Sequence, residues 1–266
     1  MGTNRDLGRN ELREEERYPI ADFLDGIPAL AESAGFSPRV YGEVDGHPLL
    51  CLTRDIDREA VLYLSAGIHG DEPAGPKAIE QLLRESALSH EVGWVVFPLL
   101  NPGGLQKGSR ENPAGIDLNR DYQVQRAAET RAHRALLEAK GQPFVASLAL
   151  HEDWEARGPY LYEHNPDQRP HPCRLLLETL GAHGPVEDAP EIDGWPTAGP
   201  GLIHPPSEIE LRTEWPEQLF LLSRFTRMSY TLETPSALPF PRRVACAADC
   251  VRAFASLHRW ETPPAA

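Results

Sequence analysis

The sequence contains few cysteines and no long apolar run, and each shortage excludes a class of protein. Its 4 cysteines in 266 residues are too few and too scattered for the disulfide framework of a small secreted domain. No run approaches the ~18 apolar residues of a membrane helix, and the charged N-terminal residues lack the apolar core of a signal peptide. We therefore expect a cytoplasmic protein without a membrane segment, whose cysteines are inert or buried thiols.

Positive charge is also scarce. Lys and Arg together number 26 against 40 Asp and Glu, which gives a net charge of −14. This balance argues against nucleic acid or an anionic membrane as a general partner. The net charge does not exclude a small anionic substrate, because local basic groups determine whether such a substrate binds. Hydrophobic residues make up 41% of the chain, enough for a packed core, so a globally disordered chain is excluded.

Buried strands alternate with helices along the chain. Residues 60–66, 92–100 and 144–150 are nearly continuous apolar runs of strand length, typical of central strands covered on both faces. Helical periodicity over 76–86 and 127–140 separates them. Weaker patterns predict helices over 20–34, 173–182, 214–224 and 242–259, and strands over 160–163 and 228–233. The alternation predicts an α/β sandwich around a parallel or mixed sheet.

The remaining segments complete the predicted organisation. Asp45-Gly46 predicts a tight turn inside a hairpin over 40–52. Residues 184–206 are rich in proline and predict a long irregular excursion, of the kind that is often functional. We expect a charged N-terminal arm over 1–18 and a single catalytic domain over 19–266.

Three residues at strand ends are candidate metal ligands. His69 and Glu72 lie just beyond the strand 60–66, where ligands collect in α/β sheets. A glycine-bearing turn separates them, so an imidazole and a carboxylate could converge on one ion. His151 follows the strand 144–150, and two His with one Glu leave the fourth position of a tetrahedral Zn²⁺ to water. Taken separately, Glu72 could instead cap the next helix, and His151 could be an ordinary strand-end residue.

Other polar residues extend this set of candidates. Glu152 and Asp153 are alternative ligands or partners of ligands. Asn119 and Arg120 place an amide beside a guanidinium, a pair that can bind a carboxylate through directed hydrogen bonds or form an ordinary loop salt bridge. Glu233 ends an apolar strand. Beside a zinc-activated water this carboxylate would be a general base. Otherwise Glu233 would be an exposed residue at the end of a strand.

Taken together, the order of these motifs resembles the zinc carboxypeptidase family of metallopeptidases, over about residues 41–260. The motifs are Gly-Ile-His-Gly-Asp-Glu at 67–72, Arg-x-Asn-x-x-Gly-x-Asp-Leu-Asn-Arg at 110–120, the strand-end His151, and Thr-Leu-Glu-Thr-Pro at 231–235. The resemblance implies a three-layer α/β/α sandwich with a mixed, mainly parallel, roughly eight-stranded sheet.

The resemblance also implies the roles of the site residues. It implies one Zn²⁺ per chain, with the ligands His69, Glu72 and His151. Glu233 would be the general base, and Arg110 would polarise the scissile carbonyl. Asn119 with Arg120 would hold the terminal carboxylate of the substrate.

Two branches of this superfamily fit the motifs. The spacing from Arg110 to Asn119, with Asn112 and Gly115 between them, resembles the bacterial murein-peptide amidase type most. The aspartoacylase and succinylglutamate desuccinylase branch shares the motifs, but its interval is typically shorter. That branch usually adds a C-terminal β-domain, whereas this sequence continues after Glu233 only to residue 266, enough for one helix and a tail.

The expected function is therefore that of a zinc metallocarboxypeptidase that cleaves a C-terminal amide or peptide bond of a small peptide. The alternative is an N-acyl amino acid deacylase. A third interpretation is a zinc-dependent binding protein without catalysis. Classical digestive members cap the substrate with a Tyr before the catalytic Glu, and residues 201–222 contain none. The candidates for that role are His204, Trp215, Tyr160 and Tyr162.

Overall fold

The computed structural model describes residues 12–167, 173–206 and 213–256. Residues 1–11 of the predicted N-terminal arm and residues 257–259 of the predicted last helix lie outside the described residues. Within that part of the chain, no helix is both long and apolar enough to span a bilayer.

The described residues form one sheet of ten strands. They are β1 (Ser37–Val44), β2 (His47–Arg54), β3 (Val61–Ala66), β4 (Gly93–Phe97), β5 (Ala146–Asp153), β6 (Tyr160–His164), β7 (Glu191–Ile192), β8 (Trp195–Gly199), β9 (Leu202–Ile203) and β10 (Ser229–Pro235). Their order is β1-β2-β4-β3-β5-β10-β6-β9-β8-β7. The expected mixed sheet is confirmed, but it has ten strands rather than about eight.

Helices cover both faces of this sheet. They are α1 (Ile20–Ser33), α2 (Ala74–Arg84), α3 (Pro102–Lys107), α4 (Ala128–Lys140), α5 (Cys173–Gly181), α6 (Glu217–Arg224) and α7 (Phe240–Phe254), with short 3-10 helices at Glu14–Glu16 and Leu118–Arg120. One apolar core lies between the sheet and α1, α2, α5 and α7. A second lies between the sheet and α4 and α6. The predicted α/β/α sandwich is confirmed.

The central strands of the sheet are parallel, and this places the candidate functional residues at one edge. Strands β4, β3, β5 and β10 are neighbours and run parallel to one another. All six residues of β3 are buried, as expected for a strand covered on both faces. Because the carboxyl ends of parallel strands share one edge, the residues that follow β3 and end β5 and β10 lie together.

The extra strands lie in the segment 184–206, which the proline content predicted to be irregular. That prediction was wrong in part, because β7, β8 and β9 form there. Asp193 and Gly194 both adopt positive φ, 51° and 76°, and so form the tight turn between β7 and β8. Strands this short, at the sheet edge where proline is tolerated, leave no periodic pattern to detect.

Other local predictions hold. Asp45 and Gly46 have φ of 51° and 77° and join β1 to β2 as the predicted hairpin. The four cysteines are free and buried, as expected. Burial raises the pKa of the Cys51 thiol to about 12, so this group stays protonated and unreactive at neutral pH.

Candidate metal centre and substrate cavity

The three predicted ligands come together at the carboxyl edge of the sheet. His69 and Glu72 lie in the turn between β3 and α2, and His151 lies on the neighbouring strand β5. All three side chains are buried, and one candidate ligand atom from each lies within 4.8 Å of the others.

Close packing fixes the turn that carries two of these residues. A Cβ at Gly70 would lie 2.0 Å from the backbone carbon of Gly104, so only glycine lets the turn pack on α3. Gly67 adopts a positive φ of 64°. The Nδ2 of Asn101 donates to the carbonyl oxygen of Ile68 over 3.2 Å. The turn is therefore held by backbone contacts rather than by the ligands themselves.

Glu72 stands between the two imidazoles. Its Oε1 lies 2.6 Å from Nδ1 of His69, and its Oε2 lies 2.8 Å from Nδ1 of His151. Burial alone would raise the pKa of Glu72, but the two imidazoles more than offset it, and the pKa falls well below its usual range.

The donor set fits a zinc ion. The buried Oε2 of Glu72 makes no well-formed hydrogen bond with the described residues, although it lies close to His151. A buried carboxylate oxygen without such a bond is costly. Two imidazole nitrogens and one carboxylate are the ligands of catalytic zinc sites that keep a fourth position open.

Asp117 lies beside the first of these candidate ligands, a contact that the sequence did not reveal. Its Oδ1 lies 3.3 Å from Nε2 of His69, and its Oδ2 accepts from Nε of Arg110 over 3.0 Å. Both ring nitrogens of His69 thus face a carboxylate, Asp117 at Nε2 and Glu72 at Nδ1. Nδ1, on the side of the other candidate ligands, is the candidate ligand atom. Burial opposes ionisation of Asp117, but His69 and Arg110 hold its pKa below the usual range. The only signal was its place in the Asp-Leu-Asn-Arg motif.

Glu152 is adjacent to His151 in sequence but has different partners. Its Oε1 accepts from the backbone N of Ala74 over 2.7 Å, and its Oε2 pairs with Arg243, which also pairs with Glu16. Glu152 therefore caps α2. The side-chain partners given for Glu72 are His69, His151 and Arg110 rather than the first turn of α2, which argues against the capping role for Glu72.

Glu233 lies beside the candidate ligands. On β10 it is in parallel register with His151 of β5 and in antiparallel register with Tyr160 of β6. Its partly buried side chain lines the same cavity as His69 and Glu72. Burial raises the pKa of Glu233 well above its usual value, and the charge of Glu72 adds to this although His151 opposes it.

Arg110, Asn119 and Arg120 line the same cavity. Nη1 of Arg110 lies 3.8 Å from Oε1 of Glu72, which places its guanidinium beside the ligands. Oδ1 of Asn119 accepts from the backbone N of Glu217 over 3.0 Å, so its NH₂ group is the end that can serve a substrate. Nη1 of Arg120 donates to the carbonyl oxygen of Asn119 over 2.9 Å. Its side chain is 44% exposed, so it can reorient toward a substrate.

The cavity has a volume of about 600 Å³, enough for a small peptide or an acylated amino acid. Of the four candidates for the missing capping Tyr, Tyr160 and Tyr162 line the cavity and His204 and Trp215 do not. The Tyr160 hydroxyl donates to Asp153 over 2.9 Å. Sequence reasoning missed further lining residues, namely Trp154, Asp193, Trp195 and Gln218.

A comparison with protein families finds a match to part of the chain. Residues 59–184 match the model of the succinylglutamate desuccinylase/aspartoacylase catalytic domain. This range contains the three candidate ligands together with Arg110, Asn119 and Arg120, and it ends before Glu233. The match therefore covers the candidate metal ligands.

Relatives and solved structures extend the comparison. Murein peptide amidase A of Vibrio campbellii is 34% identical over 104 residues, which are 37% of this chain and 40% of that protein; the match thus spans about two fifths of the relative. A crystal structure of a candidate metallopeptidase from Shewanella amazonensis superposes with a TM-score of 0.77 and 27% identity over 90% of this chain and 92% of that one. A metallo-carboxypeptidase from Burkholderia cenocepacia shares the fold, with a TM-score of 0.61 and 19% identity over 86% of this chain and 67% of that one.

These matches confirm the resemblance that the motifs carried. The sequence matches the desuccinylase/aspartoacylase catalytic domain, one curated relative is a murein peptide amidase, and the fold neighbours are metallopeptidases and metallo-carboxypeptidases by description. The chain therefore has a fold similar to that of these metallopeptidases, and about two fifths of it is similar in sequence to murein peptide amidase A.

Proposed function

We propose that this protein is a zinc metallocarboxypeptidase that hydrolyses a C-terminal amide or peptide bond. The observation that carries the proposal is the register of β5 and β10, which sets Glu233 directly beside His151. A carboxylate that is not needed as a ligand thus faces the place where His69, Glu72 and His151 converge. General-base hydrolysis needs this arrangement of a metal cluster and a separate proton acceptor.

The proposed roles follow from these positions. When bound, zinc supplies a Lewis acid and lowers the pKa of a water molecule to about 7. Glu233 takes a proton from the attacking water and later passes it to the leaving amine. Burial raises the pKa of Glu233, which is the direction that favours a carboxylate acting as both proton acceptor and proton donor. Arg110 donates hydrogen bonds to the developing oxyanion.

Asn119 and Arg120 would anchor the terminal carboxylate of the substrate. Asn119 is fixed through its Oδ1, so its NH₂ group can donate to one carboxylate oxygen. The guanidinium of Arg120 can donate to both oxygens. An anchor for a free carboxylate makes the proposed enzyme an exopeptidase.

The second candidate is deacylation of a small N-acyl amino acid. The match of residues 59–184 to the desuccinylase/aspartoacylase catalytic domain favours it. The same residues would serve this reaction, because an N-acyl amino acid also presents a free carboxylate next to an amide bond. The two candidates thus differ in the acyl side of the substrate.

A substrate panel distinguishes the two candidates. The zinc-loaded protein is assayed on acylated dipeptides and murein-type peptides, and in parallel on N-acetyl-aspartate and N-succinyl-glutamate, with Glu233→Gln protein as the control for contaminating hydrolases. We expect turnover of the peptides that the control lacks. Robust turnover of the N-acyl amino acids alone would replace the first proposal with the second. A protein that binds zinc stoichiometrically and cleaves nothing would be the non-catalytic binding protein.

A further inference from the structure

Glu217 carries a buried carboxylate that the proposed reaction does not use. The residue is the first of α6 and is 0% exposed. Its Oε2 accepts from Oγ of Ser65 over 2.8 Å, and its Oε1 accepts from the hydroxyl of Tyr63. Both donors belong to β3, where they are two residues apart and therefore lie on the same face of the strand. The carboxylate thus attaches the first turn of α6 to this central strand.

The backbone N of Glu217 contacts the proposed anchor for the substrate. It donates to Oδ1 of Asn119 over 3.0 Å. The first N–H groups of a helix have no acceptor within the helix, and Pro216 before α6 supplies no side-chain cap. Asn119 supplies the acceptor from a separate loop. The position of Glu217 therefore determines where the amide of Asn119 points.

One strand consequently positions both parts of the site. His69 and Glu72 lie in the turn that follows β3. The two hydroxyl donors on β3 hold Glu217, and Glu217 in turn holds Asn119. The distance from the candidate metal ligands to the carboxylate anchor thus depends on a chain of hydrogen bonds with Glu217 in its middle.

A carboxylate is a costly means of attaching this helix. Phe220 and Leu221 of α6 already pack in the apolar core on this face of the sheet, and burial of a carboxylate has a large desolvation cost. Two directed hydrogen bonds, however, fix the orientation of the first turn, which apolar contacts do not. The pairing therefore favours a role in geometry over a role in stability.

We propose that Glu217 is a positioning residue, which holds the NH₂ group of Asn119 toward the terminal carboxylate of the substrate. The inference rests on the proposed function, because that function uses Asn119 as an anchor. Without the carboxylate, the first turn of α6 is released from β3 and the amide of Asn119 loses its fixed direction. The loop itself stays attached, since the backbone N of Tyr122 donates to the carbonyl oxygen of Trp215 over 3.2 Å.

A matched pair of substrates tests this role. Specificity constants are measured for N-acetyl-alanyl-alanine and for its C-terminal amide, and their ratio reports on the anchor. Glu217→Leu should lower the ratio by roughly 5- to 30-fold, because a hydrogen bond to a charged group is weakened or lost. Glu217→Gln keeps an acceptor for Tyr63 and can donate to Ser65, so its ratio should stay within about 3-fold of wild type. Glu32→Leu, at an exposed position, should leave the ratio unchanged.

A double variant distinguishes positioning from a general loss of structure. Partial unfolding or loss of metal lowers the turnover of both substrates equally and leaves their ratio unchanged. If Glu217 acts through Asn119, Glu217→Leu combined with Asn119→Ala should lower the ratio no further than Asn119→Ala alone. Losses that multiply in the double variant would overturn the assignment.

Ser65→Ala covers the case in which Glu217→Leu does not fold. It removes one of the two hydrogen bonds to the carboxylate and only one oxygen atom from the protein. We expect the ratio to fall by about 2- to 5-fold, because one directed contact remains. A wild-type ratio in whichever of these two variants folds would overturn the role of Glu217.

Calorimetric titration of the same acid and amide separates this inference from the proposed function. If wild type cleaves neither but binds the acid more tightly, and Glu217→Leu loses that difference, the role of Glu217 stands and the proposed hydrolysis is wrong. If wild type cleaves the acid preferentially and Glu217→Leu keeps the preference, the function stands and the role of Glu217 is wrong. Equal cleavage and equal binding of acid and amide by wild type would also overturn that role.

Discussion

His133 in the core and the pair His69 and His151 at the cavity are buried to a similar degree, with exposures of 1%, 2% and 4%. Their partners differ. His133 lies between two phenols, with Nε2 3.0 Å from the Tyr63 hydroxyl and Nδ1 2.6 Å from the Tyr122 hydroxyl. The cavity histidines instead direct Nδ1 toward one shared carboxylate, that of Glu72.

The hydrogen-bond partners determine whether each site favours a neutral or a protonated imidazole. The Tyr63 hydroxyl donates to Glu217, so it accepts from Nε2–H of His133, whose Nδ1 then accepts from Tyr122. Both nitrogens are satisfied in the neutral form, and burial lowers the pKa of His133 to about 3. For His69, burial also acts to lower the pKa, but Glu72 and Asp117 more than offset it and the pKa is raised. The cavity is therefore a site that favours positive charge.

The comparison shows that burial alone does not make a histidine a ligand. A neutral partner on each nitrogen satisfies the hydrogen bonds of a structural histidine, whereas a carboxylate shared between two imidazoles forms a site that a bound cation would complete. The predictions that follow test whether the two sites differ as their partners indicate.

Glu233→Gln separates chemistry from metal binding within the cavity. The amide cannot take a proton from water, so we expect kcat to fall by about 10²- to 10⁴-fold. Metal content should stay unchanged because Glu233 is not among the candidate ligands. Steady-state kinetics together with elemental analysis check both points. Wild-type turnover in this variant would remove Glu233 from the reaction.

His133→Leu should show the opposite pattern. Leucine leaves the hydroxyls of Tyr63 and Tyr122 without their partner in the core, which we expect to cost about 2–4 kcal/mol of unfolding free energy. Zinc content should equal that of wild type. Urea denaturation measures the loss. His47→Leu, at a partly exposed position whose hydrogen bond with Gln106 is open to solvent, should stay within about 0.5 kcal/mol. Loss of zinc from His133→Leu would show that the core histidine supports the metal site.

Arg120→Ala tests the anchor for the substrate carboxylate. Loss of charge-assisted hydrogen bonds worth about 1.5–3 kcal/mol should lower the specificity constant by roughly 10- to 150-fold on substrates with a free C-terminus. Amidated substrates lack the partner already and should lose little more. Equal losses on the matched pair would mean that Arg120 only braces its loop, and the exopeptidase proposal would fall.

The pH dependence of the unfolding free energy tests the contribution of His133 to stability. Its folded pKa of about 3 lies below the unfolded value of 6.5, so the unfolded chain binds an extra proton between these values. Stability should therefore fall as the pH falls below about 6.5, and His133 should contribute about 1.4 kcal/mol per pH unit. His133→Leu should reduce the slope by that amount. An unchanged slope would show that His133 charges in the folded protein.

Much of the fold could be predicted from the sequence, because central strands and amphipathic helices leave long periodic patterns. Residues 60–66 and 144–150 correspond closely to β3 and β5. Strands β7 and β9, with two residues each, are too short for any pattern. The division into an arm and one catalytic domain stays a prediction, as does the cytoplasmic location.

The site residues also divide into those that the sequence predicted and those that it did not. His69, Glu72, His151 and Glu233 follow or end strands, where a polar residue after an apolar run stands out. Asp117 contacts His69 across the fold, and Gln218 contacts two serines on separate strands. Such contacts depend on side-chain distances, which spacing along one chain does not determine.

Zinc content per chain tests the central claim most directly. Purified wild type should hold about one zinc by elemental analysis, and so should His133→Leu. The double variant His69→Ala, His151→Ala should hold almost none while remaining folded by circular dichroism, because it loses two of the three candidate ligands. A folded double variant that binds as much zinc as wild type would contradict the metal centre and the hydrolysis proposed from it.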